Sequence, residues 1–133
     1  MPAQRNNMFA RPFSVLSAVL ATASAYAQGY PDKSLRMIVP FSAGAGSDLV
    51  GRLIARKLQE SWGQSMIVEN RPGGGTIIGV EAAARAAPDG YTLVIVTPSF
   101  IINATGLKKL PYDSIRDFAP VTLFATSPLL LVA

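Results

Sequence analysis

The residues best suited to chemistry in this sequence lie in a turn of small residues that leads into a helix. Residues 43–46 read Ala-Gly-Ala-Gly and are followed by Ser47 and Asp48. A turn at the start of a helix presents unpaired amides and the positive end of the helix dipole, which together favour an anion. The small residues let a ligand approach the backbone, and the Ser47 hydroxyl can donate. We interpret Asp48 either as a helix cap or as a contact for a ligand ammonium or an ordered water.

A nucleotide is the first alternative ligand for this turn. Gly44-Ala45-Gly46 follows a strand, and Glu69 ends the next strand about where a ribose-binding acid would lie. Leu49, however, occupies the third glycine position and would crowd the helix against the strand. The Gly-Lys-Ser/Thr ending of a phosphate loop is absent from the sequence, and we interpret Gly73 to Gly75 as a structural turn. A dinucleotide-binding oxidoreductase therefore stays open as an alternative, although we predict no cofactor.

The composition excludes several kinds of chemistry. The 133 residues include no histidine and no cysteine, so a histidine-containing triad and disulfides are excluded, and no metal site is expected. Without Arg5 and Arg11, which fall in the leader described next, ten basic and eight acidic residues leave a net charge of +2. That charge is too small and too dispersed for a nucleic-acid partner.

Residues 1–27 have the layout of a secretory signal peptide. Arg5 and Arg11 form a basic start, an apolar run begins at Phe13, and the segment ends in Ala25-Tyr26-Ala27. The apolar run is shorter than the roughly 20 residues that a membrane-spanning helix needs. We therefore predict a signal peptide at 1–27 and an exported domain over 28–133.

The exported part alternates between strand and helix patterns. The segments "LRMIVPF", "MIVEN" and "YTLVIVT" read as strands, with the first one central because it is almost continuously apolar. Between them lie a helix that ends at Gly63 and an alanine-rich helix that stops before Pro88. The first helix is expected to bury Val50, Leu53, Ile54, Leu58 and Ser61-Trp62. This β-α-β-α-β order predicts an α/β fold with a parallel sheet covered by helices on both faces.

Ligands of such sheets bind beyond the carboxyl ends of the strands. Three segments should converge there: residues 41–48, 71–76 and 97–103. In the third segment, Thr97, Ser99 and Asn103 offer hydroxyl and amide groups, or serve as caps and turn residues. Arg71 is expected to pair with a surface acid such as Glu69. After the third segment we predict β-like runs at 121–125 and 129–133. The sequence ends inside the second of these apolar runs, which suggests a truncated frame.

Three stretches of this sequence resemble, in order and spacing, the Bug-type solute receptors of tripartite tricarboxylate transporters. They are "YPDKSLRMIVPFSAGAGSDLVGRLIARKL", "GQSMIVENRPGGGTIIGVEAAARAAPDGYTLVIVT" and "LPYDSIRDFAPVTLFATSPLLLV". The resemblance implies a non-enzymatic periplasmic binding protein with two α/β lobes. Members are more than twice as long, so 28–133 would be the first part of the N-terminal lobe, with the second lobe missing.

The resemblance also implies a ligand and its partners. The family binds small carboxylates through a loop and a helix N-terminus from each lobe, and it delivers them to the membrane subunits of the transporter. We expect a periplasmic monomer that binds a small organic carboxylate. A non-binding remnant or an interaction module is the other alternative. The ligand-binding residues carried over are Phe41, Ala43, Gly44, Ala45, Gly46, Ser47, Asp48, Thr97, Ser99 and Asn103.

Overall fold

The computed structural model describes residues 29–106 and 109–126 of the chain. The chain divides into two compact units, Met1–Lys33 and Ser34–Ala133. Of the first unit the structure describes residues 29–33, which include a cis peptide bond between Tyr30 and Pro31. The predicted signal peptide and the predicted β-like run at 129–133 lie outside the described residues. All helices and strands that the structure describes belong to the second unit.

Three parallel strands form the sheet of the second unit. They are β1, Leu35–Val39; β2, Met66–Asn70; and β3, Thr92–Val94, in the order β2-β1-β3. Met37 lies opposite Val68 on one side and Leu93 on the other. The prediction of a central first strand is confirmed. It ends at Val39 rather than Phe41, because Pro40 has no N–H to continue the ladder.

Three helices follow the strands as the alternating pattern predicts. Helix α1 spans Gly46–Trp62, α2 spans Ile77–Ala84 after a 3₁₀ turn at Gly74–Thr76, and α3 spans Ser99–Gly106. Gly63 ends α1 as predicted, with a left-handed φ of 67° and its N–H donated to the carbonyl of Gln59. No helix within the described ranges has both the length and the apolar character needed to cross a bilayer.

The two faces of β1 pack against different helices. Leu35, Met37 and Val39 form a buried cluster with Ala55 of α1 and with Met66 and Ile95. Ile38 points to the opposite face because successive side chains of a strand alternate. Both Ile38 and Val80 of α2 are fully buried, and α2 contacts β1 and β3. The predicted coverage of both faces by helices is therefore confirmed.

Helix α1 buries a face that only partly matches the predicted one. Its buried residues are Asp48, Gly51 and Ala55, whereas the side chains of Leu53 and Trp62 are 52% and 40% exposed. A Cβ atom at Gly51 would lie 2.8 Å from Cδ1 of Ile95 and 3.2 Å from Cγ2 of Val39. The helix thus lies so close to the sheet that only small residues fit beneath it, and larger ones are displaced to its sides. Of the predicted face, Ile54 and Leu58 pack against the core.

The segment after α3 is organised by aromatic rings. Phe100 stacks on Tyr112 with ring centroids 6.1 Å apart, and Phe118 meets both rings edge-on.

The prediction of a β-like run at 121–125 is wrong for this structure. Those residues are exposed and form no strand, because they pair with no other strand of the described chain.

Candidate anion-binding site

Loop 1, residues 40–45, connects β1 to α1 and contains most of the predicted ligand contacts. Phe41 is half-buried against the core, while Ala43 and Gly44 are exposed. A turn closes between the N–H of Ala45 and the carbonyl of Ser42, and Gly44 adopts a left-handed φ of 84°. Gly46 is exposed at the first position of α1, and Ser47 is half-buried beside it. The loop is therefore open to an approaching ligand.

Asp48 faces back into the protein rather than towards the start of its helix. Its side chain is 2% exposed and accepts hydrogen bonds from the backbone N–H of Gly44 at 2.8 Å, from Nδ2 of Asn70 at 2.8 Å and from Nε of Arg52 at 3.1 Å. The Gly44 bond first, and then Arg52 and Asn70, lower the pKa of Asp48 to about 2. The carboxylate is thus ionised and fully engaged by protein groups.

The interpretation of Asp48 as the helix cap is wrong in this structure. The N-cap of α1 is Ala45, and it makes no side-chain capping bond. Asp48 instead satisfies Gly44, an amide upstream of the helix. The first N–H groups of a helix, here those of Gly46 and Ser47, have no intrahelical partner.

Two residues of this site escaped the sequence analysis: Asn70 and Arg52. Asn70 donates from Nδ2 to the carbonyl of Phe41 at 3.1 Å as well as to Asp48, and its Oδ1 accepts from Nη2 of Arg52 at 2.9 Å. An aspartate four residues before an arginine on one helix is a detectable signal. Asn70, a polar residue at the end of β2, is a second detectable signal. Neither signal reveals that Asn70 contacts Asp48 and Arg52.

Loop 2, residues 71–76, follows β2 and has an unusual backbone. Gly73, Gly74 and Gly75 have positive φ values, and so does Thr76, at 83°. Thr76 is 8% exposed, and its hydroxyl has no hydrogen-bond partner among the residues that the structure describes. Buried unpaired hydroxyls and left-handed β-branched residues are both uncommon, and both concentrate at functional sites. Thr76 is therefore a further candidate that the sequence analysis did not single out.

The third predicted segment lies against loop 2. The hydroxyls of Thr97 and Ser99 are 2.7 Å apart and hydrogen-bonded to each other, with Ser99 at the start of α3. Asn103 donates from Nδ2 to the carbonyl of Gly75 at 2.8 Å. Asn70 therefore joins loop 1 to the end of β2, and Asn103 joins loop 2 to α3.

Charged groups near these loops are mostly paired with each other. Arg71 contacts Glu69 with an Nε–Oε1 distance of 2.7 Å, which confirms the predicted surface pair. Arg36 also reaches Glu69, at 3.5 Å. Within the described residues no group of three or more histidine, cysteine or acidic side chains is placed to hold a metal ion.

Comparison with known proteins identifies relatives of most of the chain. Residues 50–133 match the family model described as "Tripartite tricarboxylate transporter family receptor". The chain is similar to BugT of Bordetella pertussis, with 38% identity over 128 residues that cover 92% of this chain and 39% of BugT. The chain thus spans about two-fifths of the length of the curated relatives that it matches.

Solved structures give the same picture for the fold. The periplasmic binding protein BugD superposes with a TM-score of 0.65 and 35% identity, over 68% of this chain and 30% of BugD. MatC of Rhodopseudomonas palustris, solved with bound malate, has a TM-score of 0.64 and 34% identity, over 68% of this chain and 31% of MatC. These superpositions, which cover 30% of BugD and 31% of MatC, confirm the predicted fold class, a periplasmic-binding-protein-like α/β lobe. A receptor binds its solute without transforming it, so the matches also confirm a non-enzymatic chain and overturn the oxidoreductase alternative. The chain belongs to the receptor family of tripartite tricarboxylate transporters.

Proposed function

We propose that this chain forms part of a periplasmic receptor and captures a small organic carboxylate at the start of α1. The membrane subunits of a tripartite tricarboxylate-type transporter would then receive the ligand. The engagement of Asp48 carries the proposal. An acid in the first turn of a helix would ordinarily satisfy the helix dipole and repel an anion. Here its charge is matched by Arg52 and its oxygens are turned towards Gly44 and Asn70.

The start of α1 consequently keeps its capacity for an anion. The N–H groups of Gly46 and Ser47 and the Ser47 hydroxyl are the donors that a carboxylate would use. Exposed Ala43 and Gly44 leave room for the ligand to reach them. Asp48 contributes by holding the loop, and Phe41 and Ala45 complete the lining from loop 1.

Thr97, Ser99 and Asn103 supply the other proposed contacts. The hydroxyls of Thr97 and Ser99 bond to each other in this structure, and either can turn to a ligand oxygen. The second N–H and the oxygen of the Asn103 amide group remain for a bridging water. The malate bound to MatC is one chemical precedent among similar structures. The other half of the binding site would come from the polypeptide that the relatives carry beyond the matched part.

A ligand panel tests the proposal. Thermal shifts and calorimetric titrations of the purified protein with mono-, di- and tricarboxylates should show stabilisation by mass action, whereas the uncharged amides of the same acids should have no effect. Ser47→Ala should weaken the affinity by about 1 kcal/mol, or roughly fivefold, through one lost hydrogen bond. Ser61→Ala, at the exposed far end of the same helix, is the matched control and should leave the affinity unchanged.

The contrary result is a flat titration with every acid at millimolar concentration. It would favour the alternative of a non-binding remnant. If the unaltered protein binds a carboxylate and Ser47→Ala binds it with the same affinity, the ligand does not lie at Ser47.

The location and assembly of the protein follow from the same proposal. Export through the segment 1–27 should yield a periplasmic protein whose first residue is Gln28. Mass spectrometry of the periplasmic fraction checks this, and recovery of the uncleaved chain from the cytoplasm would contradict it. The exported domain, 28–133, should be a monomer by light scattering.

A further inference from the structure

Asn70 lies where strand β2 meets loop 1, and its amide group makes three hydrogen bonds there. Nδ2 donates to the carbonyl of Phe41 and to Oδ1 of Asp48, and Oδ1 accepts from Nη2 of Arg52. The two neighbours of Nδ2 are pure acceptors, and the guanidinium is a pure donor. Only one orientation of the amide satisfies all three, so its hydrogen-bonding role is unambiguous.

We propose that Asn70 is the positioning residue of the anion-binding loop. Through Asp48 it acts on the Gly44 amide, and through the Phe41 carbonyl it acts on the start of the loop. Loop 1 is thereby fixed to β2 at both of its ends before any ligand arrives. This inference rests on the proposed function, since it concerns the shape in which the loop presents its amides to a carboxylate.

The side chain of Asn70 is suited to this role in a way that its close analogues are not. Aspartate has the same size but no donor, so it would leave the Phe41 carbonyl unpaired and place a second negative charge against Asp48. Alanine removes the donors and the acceptor together. Either change would leave Asp48 with Gly44 and Arg52, and would remove the bond from the Asn70 side chain to the Phe41 carbonyl that joins loop 1 to β2.

The expected consequence is a loop that populates its binding-competent shape less often. Apparent affinity falls in proportion to the competent fraction, because ligand binding must first restore the ordered loop. The loss of two donated hydrogen bonds should raise the equilibrium constant for loop opening about tenfold or more, and the dissociation constant should rise as the competent fraction falls.

The test compares Asn70→Ala and Asn70→Asp with the neighbouring control Glu69→Gln. Glu69 lies on the same strand but contacts Arg36 and Arg71 instead of loop 1. Two quantities are measured in the full chain: hydrogen exchange of the Gly44 amide by NMR, without ligand, and the affinity for the carboxylate that stabilises the unaltered protein most. Both Asn70 variants should exchange Gly44 about tenfold faster or more and should bind the carboxylate measurably more weakly, and Glu69→Gln should change neither.

The outcomes separate this inference from the proposed function. Unaltered Gly44 exchange in both variants overturns the inference, and so does fast exchange with an unaltered dissociation constant. If the unaltered protein binds no carboxylate while Gly44 exchange accelerates in both variants, the proposed function fails and the positioning role fails with it, and Asn70 is left as a structural anchor. If Asn70→Asp behaves like the unaltered protein and only Asn70→Ala is impaired, packing rather than hydrogen bonding holds the loop, and the inference is overturned.

Discussion

Replacing Gly79 by alanine should destabilise the protein despite improving the helix propensity of α2. A Cβ atom at this position would lie 2.6 Å from Cβ of Pro40, 2.7 Å from the carbonyl oxygen of Arg71 and 2.9 Å from Cα of Pro40. Two of these three atoms belong to the backbone and cannot rotate away. The propensity gain is about 1 kcal/mol, and overpacking of a close contact costs about 3 kcal/mol. We expect a net loss of about 2 kcal/mol in the free energy of unfolding.

Two further glycines calibrate this prediction. At Gly51 the nearest atom is Cδ1 of Ile95 at 2.8 Å, the flexible end of a side chain, so Gly51→Ala should cost at most about 1 kcal/mol. At Gly46 nothing lies within 4 Å, and Gly46→Ala should be neutral or stabilise by up to about 1 kcal/mol. Urea denaturation at a constant m-value measures all three. A Gly79→Ala variant as stable as Gly46→Ala would refute the close approach of α2 to loops 1 and 2.

Three other changes probe individual side chains. The pKa of Asp48 is lowered to about 2, so its contribution to stability should be complete above about pH 4 and lost as the pH falls towards 2. Asp48→Asn should remove that part of the pH dependence of stability, as measured by urea denaturation at several pH values. A pKa of Asp48 near 3.8, measured by NMR, would contradict the hydrogen bonds from Gly44, Arg52 and Asn70. Thr76→Gly relieves a left-handed threonine and deletes its unpaired hydroxyl, and we expect a gain of about 1 kcal/mol by the same assay. A loss of that size would contradict a strained backbone at this position. Tyr112→Phe removes another buried hydroxyl without a partner in the described chain and should change stability by less than about 1 kcal/mol in thermal melts; a larger loss would indicate a bound water or partner at that hydroxyl.

The fold was predictable because its signals are local. The apolar run of β1 and the glycine that ends α1 each act within a few residues. The end of β1 before Pro40 is equally local, yet the strand was predicted to continue to Phe41. The buried face of α1 was not predictable from hydrophobicity, since Gly51 and Ala55 are buried for their small size. Leu53 is apolar yet exposed, and nothing in the helical pattern distinguishes it from Ile54, which packs on the core.

The site was only partly predictable, because its decisive contacts join distant parts of the chain. The turn of small residues before α1 is a local feature and was predicted from residues 43–47. The fate of the Asp48 carboxylate depends on Asn70, which is 22 residues away and comes within 2.8 Å only through the parallel pairing of β1 with β2. Sequence reasoning could thus find an acid beside the turn but could not decide whether it caps the helix, contacts a ligand or supports the loop.

The distribution of charge at this sheet edge explains how an acid can belong to the proposed anion-binding site. Asp48 is the one first-turn acid of α1, and its placement beneath the loop gives the Gly44 amide a strong acceptor. Arg52, one turn later, matches the charge, and Asn70 fixes the direction of the carboxylate. The helix therefore retains unpaired amides at its start, while the loop gains rigidity from an ion pair that a ligand need not disturb. Because this order is established when the protein folds, a carboxylate that binds would meet a preformed surface and lose less free energy to ordering the loop.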